Sequence, residues 1–504
     1  MTPFALRLSR HFREIFQLRA GVLLCCCILL PVVISGCASR ASTDTIRSGI
    51  RADRLDELKI ELEETHQSFG EFVTALNLAR VYQVDGRWSD SIEAFEEALV
   101  LLEDYENRAA INMREILAGA GTIFFSRGAG EYFGVGYERS LLHTFNALNY
   151  LMLGDFSGAA VEIRRMDKRQ ELWLEESQAR IEKHLEPARL VDSPDSLPQG
   201  YSMRELLRDQ EVRDLINNYQ DPFSYSLAAI LFRLAEDPQA SDVSMRRAIE
   251  LSDNANALFS RVWTAPPPTK KDGEIALSPV VPPLPPIFPA EAPEEALPQN
   301  ESVPGSQELT VIAFSGLAPA LRVENIRVWL PPIGYILVDM PAYAAPVRGE
   351  APAIAVYSGR EPVDIALYPL LRTDILAYRT LWDEVRMETA LSISRAMTRA
   401  GISTTAYVAA RSHRDTEGFA PLIASLTTVI MDLFASSMSG TVRNWETLPN
   451  AGYLAVETVP RGSTVDIRVA NGSTSIDLPP DARGVIIMVT ELSNSNMKVR
   501  YATY

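Results

Sequence analysis

Between Thr264 and Pro304 the chain carries twelve prolines in 41 residues, including the run PPLPPIFP. Proline lacks the amide hydrogen that helix and sheet ladders need, and its ring fixes φ, so neither a helix nor a central strand crosses such a stretch. Residues 264–306 are therefore predicted to be a polyproline II spacer, about 3.1 Å per residue, with a docking motif for a proline-binding groove as the alternative. The chain must fold on either side of it. For 504 residues, at roughly 100–200 per domain, two or three folded units are expected.

On the N-terminal side, residues 51–263 carry helical periodicity almost throughout, which predicts an all-α unit. In ALNLARVYQVDGRWSDSIEAFEEAL, the residues Leu78, Ala79, Tyr82, Gly86, Phe95 and Ala98 fall where a tetratricopeptide repeat places its signature, and the segment resembles that repeat. In ALNYLMLGDFSGAAVEI, Ala147, Tyr150, Gly154 and Ala159 fall in the same places. Tyr82 and Tyr150 lie 68 residues apart, twice the 34-residue period of that repeat. Small residues let antiparallel helices approach, Gly154 suits the left-handed position that ends a helix, and Asp155 suits the cap of the next. A weaker copy, with Phe232 and Ala248 in the corresponding places, follows at PFSYSLAAILFRLAEDPQASDVSMRRAIEL. The expectation is a short tetratricopeptide-like solenoid of three or four helix pairs.

The first 36 residues read as an export signal. Arg7, Arg10, Arg13 and Arg19 precede an apolar run from Ala20 to Ser35, too short for a spanning helix of about 20 residues. The run ends in ISGC, which resembles the lipobox of bacterial lipoproteins. That resemblance implies cleavage before Cys37, a diacylglyceryl and acyl lipid on that cysteine, and, with Ala38 rather than Asp next, outer-membrane placement facing the periplasm. Two or more acyl chains hold a protein on a bilayer where one does not. Residues 37–50, small and polar, are expected to be a tether. Processing removes four arginines and one glutamate, taking the formal charge from −17 to −20 and leaving Cys37 as the only cysteine. Such a chain has neither disulfides nor cysteine metal sites, and its charge argues against nucleic acid as a partner.

Catalytic motifs are not recognised. Gly128, Gly130, Gly134 and Gly136 precede a helical segment, but no glycine leads into Lys-Ser or Lys-Thr and the G-x-G-x-x-G spacing fails, so no nucleotide is expected. The glycines are expected to re-aim the chain where the 68-residue spacing places a degenerate middle repeat. His66, His143, His184 and His413 make no metal-ligand spacing, and His143 reads as a packing residue. His413-Arg414-Asp415 lacks the asparagine of a kinase loop, and Ser495 to Lys498 matches S-x-x-K without its companions. No metal and no cofactor beyond the lipid is expected. Glu138, Arg139, Glu162, Arg164 and Arg165 are candidates for a charged partner-binding patch on the helices, set against a solvated face with incidental ion pairs.

Residues 307–504 are expected to form an α+β domain. LTVIAF, IRVWL, GYILVDM, PAIAVY, GVIIMVTEL and MKVRYATY read as strands, and STVDIRVANGSTSIDL as a hairpin turning at Asn471-Gly472. Residues 381–400 and 419–438 read as helices.

YERSLLHTFNALNYLMLGDFSGAAVEIRR at 137–165 and VRNWETLPNAGYLAVETVPRG at 442–462, where Trp445, Leu448, Pro449 and Gly462 match, together resemble a family of poorly characterised bacterial lipoproteins with tetratricopeptide-like repeats. ELTVIAFSGLAP lies between them, and the resemblance spans roughly residues 60–490. It supplies no catalytic residues. The function expected is that of a non-catalytic adaptor on the outer membrane, binding periplasmic or envelope proteins. The alternatives are an envelope hydrolase, with Glu361, Asp364, Asp383, Glu384 and Asp415 as candidate acids, and a structural tether to peptidoglycan.

Overall fold

The computed structural model describes residues 43–117, 132–184, 197–215, 217–262, 305–330, 334–359, 361–383, 444–493 and 496–504. The signal segment, Cys37, the body of the proline-rich spacer, Gly128, Gly130, His413, Glu384, Asp415 and nearly all of the two helical segments expected after residue 380 lie outside these.

A helical region precedes a region of mixed sheets. The helices are α1 (43–51), α2 (Leu55–Phe69), α3 (Glu71–Asp85), α4 (Trp88–Leu117), α5 (Gly136–Met152), α6 (Phe156–His184), α7 (Gln210–Asp214), α8 (Pro222–Leu234), α9 (Pro238–Leu251) and α10 (Asp253–Val262). The tether is shorter than the sequence suggests. Residues 43–51 are helical, and Ile46 and Ile50 are buried in the main core, because they recur at i and i+4 and present one apolar stripe.

Three helix pairs, α3 with α4, α5 with α6 and α8 with α9, turn in the same way. Gly86 N–H donates to Gln83 O (3.1 Å) and Arg87 N–H to Tyr82 O (2.9 Å). Gly154 with Asp155, and Glu236 with Asp237, repeat the pattern onto Leu151 and Tyr150, and onto Arg233 and Phe232. Each first donor has positive φ, 81°, 77° and 60°. Glycine reaches that region without the Cβ clash that Glu236 bears. Asp155 and Asp237 cap the second helices through Gly158 N–H (2.8 Å) and Ala240 N–H (3.1 Å). Ser91 Oγ donates to Ala79 O and Ser241 Oγ to Ala229 O, both at 2.7 Å, tying the helices of two pairs at equivalent points. Ala79, Ala98, Ala147, Ala159 and Phe95 are wholly buried at these crossings, Leu78, Tyr82 and Tyr150 partly so.

The strands are β1 (Ser306–Ser315), β2 (Leu321–Leu330), β3 (Gly334–Tyr343), β4 (Ala353–Tyr357), β5 (Pro362–Ile365), β6 (Tyr368–Arg372), β7 (Ala451–Pro460), β8 (Thr464–Val469), β9 (Gly472–Asp477), β10 (Gly484–Ser493) and β11 (Asn496–Thr503), with helix α11 (373–383) after β6. They form a five-stranded sheet ordered β11-β10-β1-β7-β6, a β2-β3 ribbon and a four-stranded sheet ordered β5-β4-β8-β9. In the five-stranded sheet only β1 and β10 run parallel. In the β8–β9 hairpin Val469 pairs with Gly472, so Ala470 and Asn471 form the loop, one residue earlier than Asn471-Gly472.

The period of two along β1 sorts its side chains into two cores. Ile312 and Phe314 face the helices, while Leu309, Val311 and Ala313 pack with Ile354, Val356, Val465 and Ile467 of the four-stranded sheet. Burial on both faces explains why LTVIAF is apolar without alternation. The layers are thus helices, five-stranded sheet and four-stranded sheet. Arg233 of α8 forks onto Glu308 of β1, Arg500 of β11 donates to Asp85 O (2.9 Å), and Asn254 of α10 donates to Pro369 O (3.0 Å). One core runs through helices and sheet together.

Candidate functional site

Helix α3 is buried on nearly every side, including three polar residues at i, i+3 and i+6: Asn77, Arg80 and Gln83. That spacing makes one stripe down the helix. Asn77 on it meets the segment Asn444–Asn450, which turns at Glu446–Thr447 and leads into β7. Asn77 Oδ1 accepts from Thr447 N–H (3.0 Å) while its amide donates to Val73 O (2.9 Å). Gln83 Nε2 donates to Phe145 O (2.7 Å) and Asn149 Oδ1 (2.6 Å), and Asn149 Nδ2 passes the chain to Ser91 Oγ (2.8 Å).

The segment is gripped along its length. Trp445 is wholly buried, its ring edge-on to Phe145 (5.7 Å) and Phe95 (6.0 Å), and its indole N–H donates to Thr447 Oγ1 (3.1 Å). Its backbone N–H donates to Glu138 Oε1 (2.9 Å). The other carboxylate oxygen of Glu138 accepts from Val135 N–H (3.1 Å), closing the N-terminus of α5, and from Tyr132. Gly134, with φ of 78°, turns the chain into that cap. Glu446 pairs with Arg47 of α1 (3.2 Å), whose other arm reaches Ala318 O (2.8 Å). Burial outweighs that pair and pushes the Glu446 carboxyl up to about 7. The two stretches that carry the family resemblance thus meet, α5 against the residues around Trp445.

At one end of the seam lies a narrow cleft with room for little more than one water molecule, lined by Ile50, Arg80, Phe314, Leu317, Thr447 and Glu491 among others. Arg80 is 1 % exposed, its guanidinium 4.3 Å from the Phe145 ring centre and 5.5 Å from that of Phe314. It donates to Gln83 Oε1, and its Nε has no hydrogen-bond partner. Among the described residues no carboxylate lies within ion-pair distance of it, and burial brings its pKa down to about 9. Across the cleft, Glu491 accepts from Gly316 N–H (3.1 Å), and burial raises its carboxyl. Gly316 has φ of 66°, and a Cβ there would meet Val347 O at 2.1 Å, so only glycine lets the chain pass so close.

The five charged candidates do not form an outward patch. Glu138, Arg139 and Glu162 are buried, because neighbouring elements cover the faces on which they stand. Arg139 Nε donates to Phe133 O (3.0 Å), and its guanidinium reaches Glu106 (3.5 Å). Glu162 takes His143 (2.9 Å) and Arg165 (2.7 Å). Arg164 and Arg165 are half-exposed, the first bridging to Asp237 and the second to Glu96 as well. Of the candidate acids, Glu361 and Asp364 are exposed before and on edge strand β5, whereas Asp383 is exposed at the end of α11, paired with Arg379. Among the described residues no group of three or more His, Cys, Asp or Glu could hold a metal ion, and no helix is long and apolar enough to cross a membrane. Sequence reading passed over Asn77, Arg80, Gln83, Glu446 and Glu491. The signal available was the polar i, i+3, i+6 stripe inside an otherwise apolar helix.

Comparison of the chain with protein-family models, with curated proteins and with solved structures returned no match.

Proposed function

We propose that this chain is an outer-membrane lipoprotein of the tetratricopeptide-like kind, facing the periplasm and acting as a non-catalytic adaptor for another envelope protein. The lipobox ISGC supports the anchor, and the three like-turned helix pairs with the 68-residue spacing support the repeat reading. Six residue steps separate Cys37 from the start of α1, so the body is held within roughly 20 Å of the lipid. On the inner face of α3, Asn77 is taken up by Thr447 of the chain's own Asn444–Asn450 segment.

The observation that carries the adaptor reading is the outer face of the β2–β3 ribbon. Trp329, Tyr335 and Leu337 are 55 %, 72 % and 55 % exposed, with Trp329 edge-on to Tyr335 across the strand pair (4.9 Å) and Arg327 opposite Leu337. Trp, Tyr and Arg are the residue types that dominate binding energy at protein interfaces, and the inner face of the same ribbon is buried in the main core, which fixes their positions. Photo-crosslinkers at 329, 335 and 337 in living cells test this against control probes at the exposed helical positions Ile60 and Val100. One envelope protein captured from the ribbon and not from the controls is expected. The same set of products from both would overturn the reading.

A further inference from the structure

Two features of the chain fit each other: the motif PPLPPIFP at 282–289, and the outer face of the β2–β3 ribbon, whose aromatic side chains stand exposed. We infer that residues 275–290 dock on the Trp329–Tyr335 face of their own chain's ribbon, where they compete with an outside partner. The inference rests on that face being a binding surface.

The sequence of the segment is that of a ligand as well as a spacer. From Ile275 to Ala290 it carries no charge, and Leu284, Ile287 and Phe288 stand among its prolines. Keeping such side chains in water forgoes about 25 cal/mol per Å² of apolar surface, which a plain spacer of polar residues would not do. Pro283, Pro286 and Pro289 recur at every third position, and with three residues per turn of polyproline II they line one edge. Edges of that kind seat on exposed aromatic side chains, because the helix is preformed and little entropy is lost on binding.

The ribbon offers the matching surface. Trp329 and Tyr335 are exposed and edge-on at 4.9 Å, on strands whose other face is buried in the main core. Leu337 extends the apolar strip, and Arg327, exposed opposite it, complements the acids that follow the run, Glu291, Glu294 and Glu295. Sixteen residue steps separate Pro289 from Gly305, where the described chain resumes, and twenty separate Val262 from Pro282. Arms of up to about 55 and 70 Å span a body whose radius of gyration, for a few hundred residues, is roughly 20 Å. Tethering presents the segment at a local concentration on the order of millimolar, so a contact too weak to hold a free peptide suffices within the chain.

The test is a photo-crosslinker in place of Tyr335 in the purified full chain, held in detergent micelles, with the monomer band mapped by mass spectrometry. Attachment within residues 275–290 is expected, at a yield independent of protein concentration. With Pro283→Gly, Pro286→Gly and Pro289→Gly together, that yield should drop to the level of a probe at Ile60. Capture of an envelope protein by the Tyr335 probe in cells should then rise, since the competitor is weakened. Absence of an intrachain product at 275–290, or a yield untouched by the three glycines, would overturn the inference. Crosslinks confined to a dimer band would overturn it too, making a second copy the occupant. Failure of the adaptor reading shows separately, as a ribbon probe that captures the same products as the controls in cells while the intrachain product in micelles persists.

Discussion

Replacing Trp445 with alanine tests whether helices and sheet are one cooperative body. The side chain is wholly buried between the helix pairs and the sheet, with edge contacts to Phe95 on α4 and Phe145 on α5. Trp or Phe to Ala changes at such sites cost about 3–5 kcal/mol, part of it the cavity left behind, and each aromatic pair accounts for about 0.5–1.5 kcal/mol. The loss of the indole N–H also strips Thr447 Oγ1 of its donor. We therefore expect about 4 kcal/mol, which with a urea slope near 3 kcal/mol/M moves the midpoint down by roughly 1 M. The assay is urea unfolding followed in parallel by far-ultraviolet circular dichroism, dominated by the helices, and by hydrogen exchange of β1 and β7 amides. Because Trp445 belongs to the core shared by both, the two signals should move together. A shift in the strand amides with the helical signal left in place would refute the single-body reasoning.

Three further outcomes are expected. Glu236→Gly should stabilise the chain by about 1 kcal/mol in the same unfolding assay, since Glu236 alone of the three equivalent turn residues bears a Cβ at positive φ. For Glu446, whose folded pKa is raised to about 7 from an ordinary value near 4.5, the unfolded state ionises first as pH rises. Its contribution is thus fully present below about pH 4.5 and lost between there and pH 7, on the order of 3 kcal/mol. Stability measured against Glu446→Gln should fall across that window, and a difference that is flat or rising there would count against the assignment. Cys37→Ala should leave a precursor that still carries residues 1–36, read as the mass of the protein recovered from membranes, with an unchanged mature mass opposing the lipoprotein reading.

Much of the fold was legible where periodicity alone decides it. LTVIAF, GYILVDM and GVIIMVTEL are strands because their patterns fit burial on one or two faces of a sheet, and Gly86 and Gly154 end helices because they alone reach positive φ without strain. The charged residues misled for a physical reason. Glu138 on α5 looks solvated from its local sequence, yet the backbone it binds, Trp445, lies 307 positions along the chain. Local pattern states which residues can share a helix face. It does not state what covers that face. The tether expected over residues 37–50 is overturned from residue 43 for the same reason, since Ile46 and Ile50 form a stripe only two turns long that gains meaning against the sheet.

The seam itself explains why the two regions dock in one register. An all-apolar contact between helices and sheet would tolerate sliding, because hydrophobic burial is not directional. Here Asn77 fixes the Thr447 amide, Glu138 fixes the Trp445 amide and Arg47 fixes Glu446, three anchors along consecutive residues of one segment. Displacing that segment by one residue would leave these buried groups unpaired, at about 1–3 kcal/mol each. The proline-rich stretch joins the two regions and need not orient them, since the polar contacts do so. Arg80, on the same stripe as Asn77 and one helical turn further along, lines the cleft beside Thr447 and Pro449 of the segment. It is the stripe's one cation, and the geometry that satisfies Asn77 and Gln83 within the chain leaves its Nε buried without a hydrogen-bond partner.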